Sequence, residues 1–213
     1  MLNRGFNNNN NNNIFKLLPY VVVFIMKFAI LIHKKMIMKY NLNLIKIKLF
    51  YLKLLGKIKN QSFLIDTRLK QLDFEDILII FPVDDESFRV AIYVFRDLII
   101  DYKSNNHYLL NRVYCNNLNI KGNIYNYSYL NKKVVIDKES IDRLSSIKDF
   151  NMIIDLNTSF FYDLCLFVNG LNAFYKIGLK NEYSDLFYNM QFCIKESNIL
   201  EDGYKKINSF LNN

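Results

Sequence analysis

The sequence predicts an α/β domain with a Rossmann-like, three-layer arrangement around a mostly parallel sheet. The main observation is the stretch from Phe150 to Leu179, which has the pattern of a buried strand, a helix and a second strand. Two strands joined by a helix can pair in parallel. A second observation is that short apolar runs such as Ile77 to Phe81 lack the polar alternation of a half-exposed antiparallel sheet.

The predicted domain begins with the apolar run from Ile77 to Phe81, which is typical of a buried strand. Pro82 ends this strand, and the acidic run from Asp84 to Ser87 supplies cap and first-turn residues for a helix. An apolar stripe then continues at helical spacing through Phe88, Ala91, Ile92, Phe95 and Ile99. We therefore expect a strand, a tight acidic turn and one amphipathic helix.

The remaining elements follow in chain order. Extended segments are predicted at Tyr108 to Cys115, Asn123 to Tyr129 and Val134 to Ile136. Asp137 is expected to cap a helix whose inward-facing residues are Ile141, Leu144 and Ile147. After residue 179, we expect a helical turn, a last strand and a terminal helix, at Tyr183 to Tyr188, Gln191 to Ile194 and Glu201 to Leu211 respectively.

The chain divides into three parts by composition. Residues 1–13 form an Asn-rich tail, which cannot bury apolar surface and is expected to be disordered. Residues 14–60 form a hydrophobic and basic helical segment, and residues 61–213 form the α/β domain.

Residues 14–59 predict an association with a membrane surface. The apolar stretch from Ile14 to Ile32 has about the length needed to span a bilayer, but Lys16, Pro19 and Lys27 interrupt it, and the sequence leaves open whether it crosses one. Eight lysines then interleave with apolar residues up to position 59. A basic amphipathic helix suits an anionic membrane face, where each lysine contributes about 1 kcal/mol. The alternatives are a leader helix packed on the domain and a non-native extension from an upstream start codon.

Charge is distributed unevenly along the chain. Residues 1–60 contain eleven Lys and Arg and no Asp or Glu, whereas the remaining residues contain 17 basic and 20 acidic ones. The sequence pI of about 9.2 therefore reflects the N-terminal segment, and no nucleic-acid partner is predicted for the folded part. A nucleic-acid binder working through residues 14–59 is the last-ranked alternative. We expect a cytoplasmic protein that is peripheral to, or anchored at, the inner face of a membrane.

Neither a metal nor a cofactor is predicted. Cys115, Cys165 and Cys193 are odd in number and lack CxxC spacing, which favours reduced core cysteines over a disulfide framework or a metal site. His107 is placed in a turn without partners at metal-ligand spacing. No glycine-rich phosphate loop occurs, so neither a nicotinamide cofactor nor ATP is indicated.

Four segments carry a resemblance to a known family. They are ILIIFPVDDESFRVAIYVFRDL, SSIKDFNMIIDLNTSFFYDLCLFVNGLNAFYKIGL, YNMQFCI and EDGYKKINSFL, and they span roughly residues 76–211. Their order resembles the N-terminal, acceptor-side domain of glycosyltransferase family 9, the ADP-heptose lipopolysaccharide heptosyltransferases and their relatives. The resemblance implies a single GT-B-type lobe. Because the chain ends near the expected linker to the nucleotide-sugar-binding lobe, the resemblance implies weak or no activity alone.

The resemblance also implies candidate catalytic residues. The family carries a Gly-Asp pair in its first loop, whose Asp is the proposed general base, and this chain has Asp84 and Asp85 there. Such a carboxylate would deprotonate an acceptor hydroxyl while the donor diphosphate leaves. For both residues, helix capping is the alternative role.

Five further residues are candidates for acceptor binding: Asp155, Asn157, Thr158, Lys176 and Lys180. Asn157 and Thr158 offer hydrogen bonds to a sugar hydroxyl, and the two lysines, of which Lys176 replaces the Arg usual in the family, suit a phosphorylated acceptor. For Asp155, Asn157 and Thr158 the alternative is a helix cap, and for the two lysines it is a solvated loop face.

The implied partners are a sugar or glycolipid acceptor and a separate donor-binding chain. The alternative function is a non-catalytic, membrane- or envelope-associated interaction module.

Overall fold

A computed structural model of the chain describes residues 27, 44–58, 76–100, 105–117, 120–194 and 199–211. Contacts divide the chain into two units, residues 1–54 and residues 55–213. In the first unit a helix, α1, covers residues 44–54. Within the described ranges, no helix combines the length and apolar character needed to cross a bilayer. The Asn-rich tail and, apart from Lys27, the predicted stretch from Ile14 to Ile32 lie outside the described residues.

The described part of the second unit contains seven strands, five α-helices and two short 3₁₀ helices. The strands are β1 (Asp76–Ile80), β2 (Asn105–Asn111), β3 (Asn123–Leu130), β4 (Lys133–Ile136), β5 (Phe150–Asp155), β6 (Ala173–Leu179) and β7 (Met190–Phe192). The α-helices are α2 (Asp85–Val94), α3 (Arg96–Ile100), α4 (Lys138–Ser146), α5 (Tyr162–Gly170) and α6 (Leu200–Leu211). The 3₁₀ helices are Arg112–Asn117 and Ser184–Leu186.

The seven strands form one sheet in the order β4-β3-β2-β1-β5-β6-β7. All neighbouring strands pair in parallel except β3 and β4, which form an antiparallel hairpin. Asn131 and Lys132 connect this hairpin with positive φ values of 51° and 64°, the backbone of a two-residue turn that matches the strand twist. The prediction of an α/β domain with a mostly parallel sheet is confirmed, and the strand order is consistent with a Rossmann-like fold.

Helices cover both faces of the sheet. On one face, Ile79 of β1 and Ile177 of β6 belong to a buried cluster with Ala91 of α2 and Tyr204 of α6. Successive side chains of a strand point to opposite faces. Lys176 therefore points to the other face, where its ammonium group contacts α5.

The single helix predicted after the acidic turn is two helices. α2 ends at Val94, Phe95 leaves helical geometry with φ −95° and ψ 13°, and α3 begins at Arg96. The Ile99 amide nevertheless donates to the Phe95 carbonyl at 3.0 Å. The predicted stripe therefore stays buried across the break, apart from the half-buried Ile92.

The inward face of α4 is narrower than predicted. Leu144 is fully buried, but Ile141 is 37% exposed, so the prediction that Ile141 faces inward is wrong. Asp137 occupies the predicted N-cap position, yet its side chain makes no capping hydrogen bond. Its carboxylate instead accepts a hydrogen bond from the Arg112 guanidinium at 2.6 Å.

Two predictions around β2 and the cysteines are corrected. His107 lies in the middle of β2 and is buried, so the expectation that it lies in a turn is wrong. β2 ends at Asn111 rather than at the predicted Cys115, because the chain there turns into a 3₁₀ helix. The Asn111 side chain supports this helix by accepting a hydrogen bond from the Val113 amide.

All three cysteines are free, but only one lies in the core: Cys165 is buried, Cys115 half-buried and Cys193 exposed.

Candidate functional site

The candidate site is the carboxyl end of β1 and β5, the two central strands. From β1 the chain proceeds to β2 on one side, whereas β5 leads to β6 on the other side. The strand order thus reverses between β1 and β5, which makes their carboxyl ends a topological switch point. In open α/β sheets, ligands usually bind in the crevice at such a switch point. The register pairs Ile80 with Asp155, so the loops after both strands begin side by side.

Asp84 and Asp85, the candidate general bases, lie in the loop after β1 and at the start of α2. Asp84 has extended backbone geometry, and its Oδ1 accepts a hydrogen bond from the Ser87 amide at 2.8 Å. Asp84 therefore serves as the N-cap of α2. Asp85 and Glu86 occupy the first turn, and all three carboxylates are exposed. Together they compensate the positive end of the helix dipole, which makes this helix terminus unfavourable for an anionic phosphate.

Asp155 is the last residue of β5 and is only 2% exposed. Its Oδ2 accepts a hydrogen bond from the Tyr188 hydroxyl at 2.5 Å. Its Oδ1 accepts from the Asn157 amide at 2.9 Å and from the Asn157 side-chain nitrogen at 2.8 Å. Burial raises the pKa of Asp155, and the hydrogen bonds from Tyr188 and Asn157 oppose that rise. The carboxyl group is thus enclosed by donors from its own chain.

Asn157 connects the two loops of the switch point. While its side-chain nitrogen donates to Asp155, its Oδ1 accepts from the Val83 amide at 2.9 Å. Asn157 is buried, Thr158 is half-buried and Ser159 is exposed. The side chain predicted to bind a sugar hydroxyl therefore holds the β1 and β5 loops together.

Tyrosine hydroxyl groups bond the carbonyl oxygens at the same strand ends. Tyr127 of β3 donates to the carbonyls of Phe81 and Pro82, each at 3.1 Å. Tyr204 of α6 donates to the Leu156 carbonyl at 2.6 Å. Burial raises the pKa of both hydroxyls, and the carboxylates of Asp84 and Asp155 raise it further, so both stay protonated donors. Sequence reasoning missed them, because their buried positions alone suggest ordinary core residues.

Tyr188 reaches Asp155 across Gly178. Gly178 of β6 pairs with Asp155, and a Cβ built on it would lie 2.6 Å from the Tyr188 ring. Only glycine therefore allows this ring to lie against the strand. The Cys165 sulfur lies 3.5 Å from the Tyr188 hydroxyl, and burial raises the pKa of that thiol to about 12. The thiol is accordingly protonated at neutral pH and unsuited to nucleophilic chemistry.

The two candidate lysines do not meet at this crevice. Lys176 is buried within β6, and its Nζ donates to the Asn169 carbonyl in the last turn of α5 at 3.3 Å. Because α5 runs back from the carboxyl end of β5, its last turn lies toward the opposite end of the sheet. Lys180 follows β6, is exposed and forms an ion pair with Asp185 at 2.6 Å.

His107 belongs to a separate cluster at the amino end of the sheet. Its Nδ1 lies 3.0 Å from the Tyr125 hydroxyl, and its Nε2 lies 3.4 Å from Oδ1 of Asp76, the first residue of β1. The Arg143 guanidinium carbon lies 4.8 Å from the Tyr125 ring centroid. Burial lowers the pKa of His107, while the Asp76 carboxylate opposes that change. No group of three or more His, Cys, Asp or Glu side chains in the described ranges is arranged to hold a metal ion.

These features define a Rossmann-like α/β domain whose switch point is hydrogen-bonded by its own side chains. A comparison of the chain with protein-family models, curated proteins and solved structures finds no match.

Proposed function

We propose that the domain of residues 76–211 is a non-catalytic interaction module, associated with a membrane or envelope through the basic N-terminal segment. The observation that carries the proposal is the internal hydrogen bonding of the switch point. Asn157 bonds the Val83 amide, Asp155 bonds the Asn157 amide, and tyrosine hydroxyls bond the neighbouring carbonyls. A ligand entering there would have to break buried hydrogen bonds, each costing about 1–3 kcal/mol when a polar group is left unsatisfied.

The β3–β4 hairpin supports a surface role. Tyr129, Leu130 and Val135 are exposed apolar side chains, and Leu130 is 61% exposed. In the described part of the chain, β4 pairs only with β3 and forms one edge of the sheet. Exposed apolar residues at a sheet edge suit a partner that adds a strand or packs on the hairpin.

A second candidate function is that of a heptosyltransferase-like, family 9-like acceptor-side lobe that works with a separate donor-binding chain. The observation in its favour is that Asp84 and Asp85 are exposed at the carboxyl end of β1, beside the switch point. In this candidate, one of them deprotonates the acceptor hydroxyl and Lys180 orients the acceptor.

One experiment separates the two candidates through Asp84. A native cell extract depleted of this chain supplies the separate donor-binding chain, and the purified chain or its Asp84→Asn variant is added back. Transfer from an ADP-activated sugar to a glycolipid acceptor is then measured. Asn keeps the N-cap but cannot act as a base. The module proposal expects that neither protein increases transfer. An increase with the wild-type chain would establish the enzyme instead, and its loss in the Asp84→Asn variant, with an unchanged unfolding midpoint, would identify Asp84 rather than Asp85 as the base.

A second experiment tests the hairpin as the interaction surface. Leu130→Glu places a charge on the exposed hairpin, and Val113→Glu places the same charge on the exposed 3₁₀ helix after β2. Each variant is used to capture partners from the native cell extract, beside the wild-type chain. We expect Leu130→Glu alone to lose the proteins retained by the wild type. Equal retention by both variants contradicts a role for the hairpin.

A further inference from the structure

Helix α1 carries an exposed apolar stripe. Ile47, Phe50, Tyr51 and Leu54 follow the i, i+3, i+4 and i+7 spacing of one helix face, and each is between 60% and 69% exposed. The other side of the helix is covered, since Leu49 is only 3% exposed. The stripe therefore differs from the usual case, in which an amphipathic helix turns its apolar face inward.

Lysines border this stripe on both sides. Lys46 and Lys53 lie four and three residues from Phe50, and Lys48 lies three residues from Tyr51 on the other side. Long lysine side chains can lay their apolar stems along such a surface and keep their ammonium groups at its polar boundary. Residues 1–60 contain eleven Lys and Arg and no Asp or Glu, so the whole segment that includes α1 is basic.

We infer that α1 is a docking surface for an anionic lipid membrane, with the stripe entering the interface and the lysines contacting the lipid headgroups. A protein partner or a second copy of the chain would also cover apolar residues. The lysine borders and the uniformly basic segment favour a negatively charged, laterally continuous surface. The inference names the lipid class behind the membrane association in the proposed function and rests on it. It does not depend on what the β3–β4 hairpin binds.

The test is cosedimentation of the full chain with vesicles. Vesicles of phosphatidylcholine alone are compared with vesicles of phosphatidylcholine mixed with phosphatidylserine. We expect binding to the mixed vesicles that weakens as salt is added. The double variant Phe50→Gln/Leu54→Gln should lose roughly tenfold or more in affinity, because it removes two of the stripe's large apolar side chains. Lys53→Gln should lose roughly fivefold on mixed vesicles, which corresponds to about 1 kcal/mol per lysine.

Tyr93→Gln is the matched control, since Tyr93 is an equally exposed aromatic residue on α2. It should bind vesicles like the wild type, and urea unfolding should show that all variants keep the fold. Equal binding to both vesicle types, or wild-type binding by the double variant, overturns the inference. If no vesicles are bound and the wild type, but not the double variant, self-associates in analytical ultracentrifugation, the stripe docks a second copy instead.

Discussion

Gly178→Ala tests whether the Tyr188 ring and Asp155 act as one packed unit. The new Cβ would lie 2.6 to 2.8 Å from three carbons of the buried ring, whereas ordinary contact begins at 3.4 Å. The ring must therefore retreat by about 0.8 Å, which lengthens its hydrogen bond of 2.5 Å to Asp155 past the range of about 2.5–3.0 Å usual for O–H···O bonds and weakens it. Overpacking costs about 1–3 kcal/mol and an unsatisfied buried acceptor about 1–3 kcal/mol more, so we expect a loss of roughly 2–6 kcal/mol.

The assay is urea unfolding followed by far-ultraviolet circular dichroism and by tyrosine fluorescence, which is usable because the chain has no Trp. Gly170→Ala is the matched control, since a Cβ there meets no atom within 4 Å. It should be neutral or stabilise the fold by up to about 1 kcal/mol. In a Tyr188→Ala background, Gly178→Ala should cost much less, because the ring is gone. The reasoning is refuted if Gly178→Ala alone unfolds within about 0.5 kcal/mol of the wild type.

Three further predictions concern charge. Because burial raises the pKa of Asp155 above 3.8, its contribution to stability is present below pH 3.8 and is lost as the pH rises through the folded pKa. Asp155→Asn should therefore gain stability relative to the wild type toward neutral pH, and parallel pH curves from urea unfolding would contradict this. His107 has the opposite sign: its pKa is lowered from 6.5, so its contribution is full above pH 6.5 and is lost as the pH falls. In the same urea-unfolding measurement, the free energy of unfolding of His107→Gln should fall less than that of the wild type as the pH drops below 6.5. Asp84→Ala should destabilise the fold by about 1 kcal/mol through the lost α2 cap, whereas Asp84→Asn should not; an equal loss in both would refute the capping role.

Local pattern was sufficient for most elements of the sheet. The strand, helix and strand of residues 150–179 were predictable because strands buried on both faces appear as short continuous apolar runs, whereas the buried face of a helix repeats every 3.6 residues, and both patterns are visible in the sequence. The antiparallel pairing of β3 and β4 was less visible, since it depends on the backbone geometry of Asn131 and Lys132. The break at Phe95 also left no sequence signal, because the apolar stripe continues across it.

The sequence by itself determined the buried apolar strands, and with them the α/β class and the polar residues that end those strands. Only the tertiary structure decided what those polar residues contact. The hydroxyl groups of Tyr127 and Tyr204 bond carbonyl oxygens at the strand ends that lie 46 and 48 positions earlier in the chain. The ammonium group of Lys176 bonds a carbonyl of α5. The physical reason is that a buried polar group must find a hydrogen-bond partner, while periodicity does not specify which distant group it will be. Asp155, Asn157 and Lys176, which the sequence offers as candidates for acceptor binding, accordingly make hydrogen bonds within the folded domain.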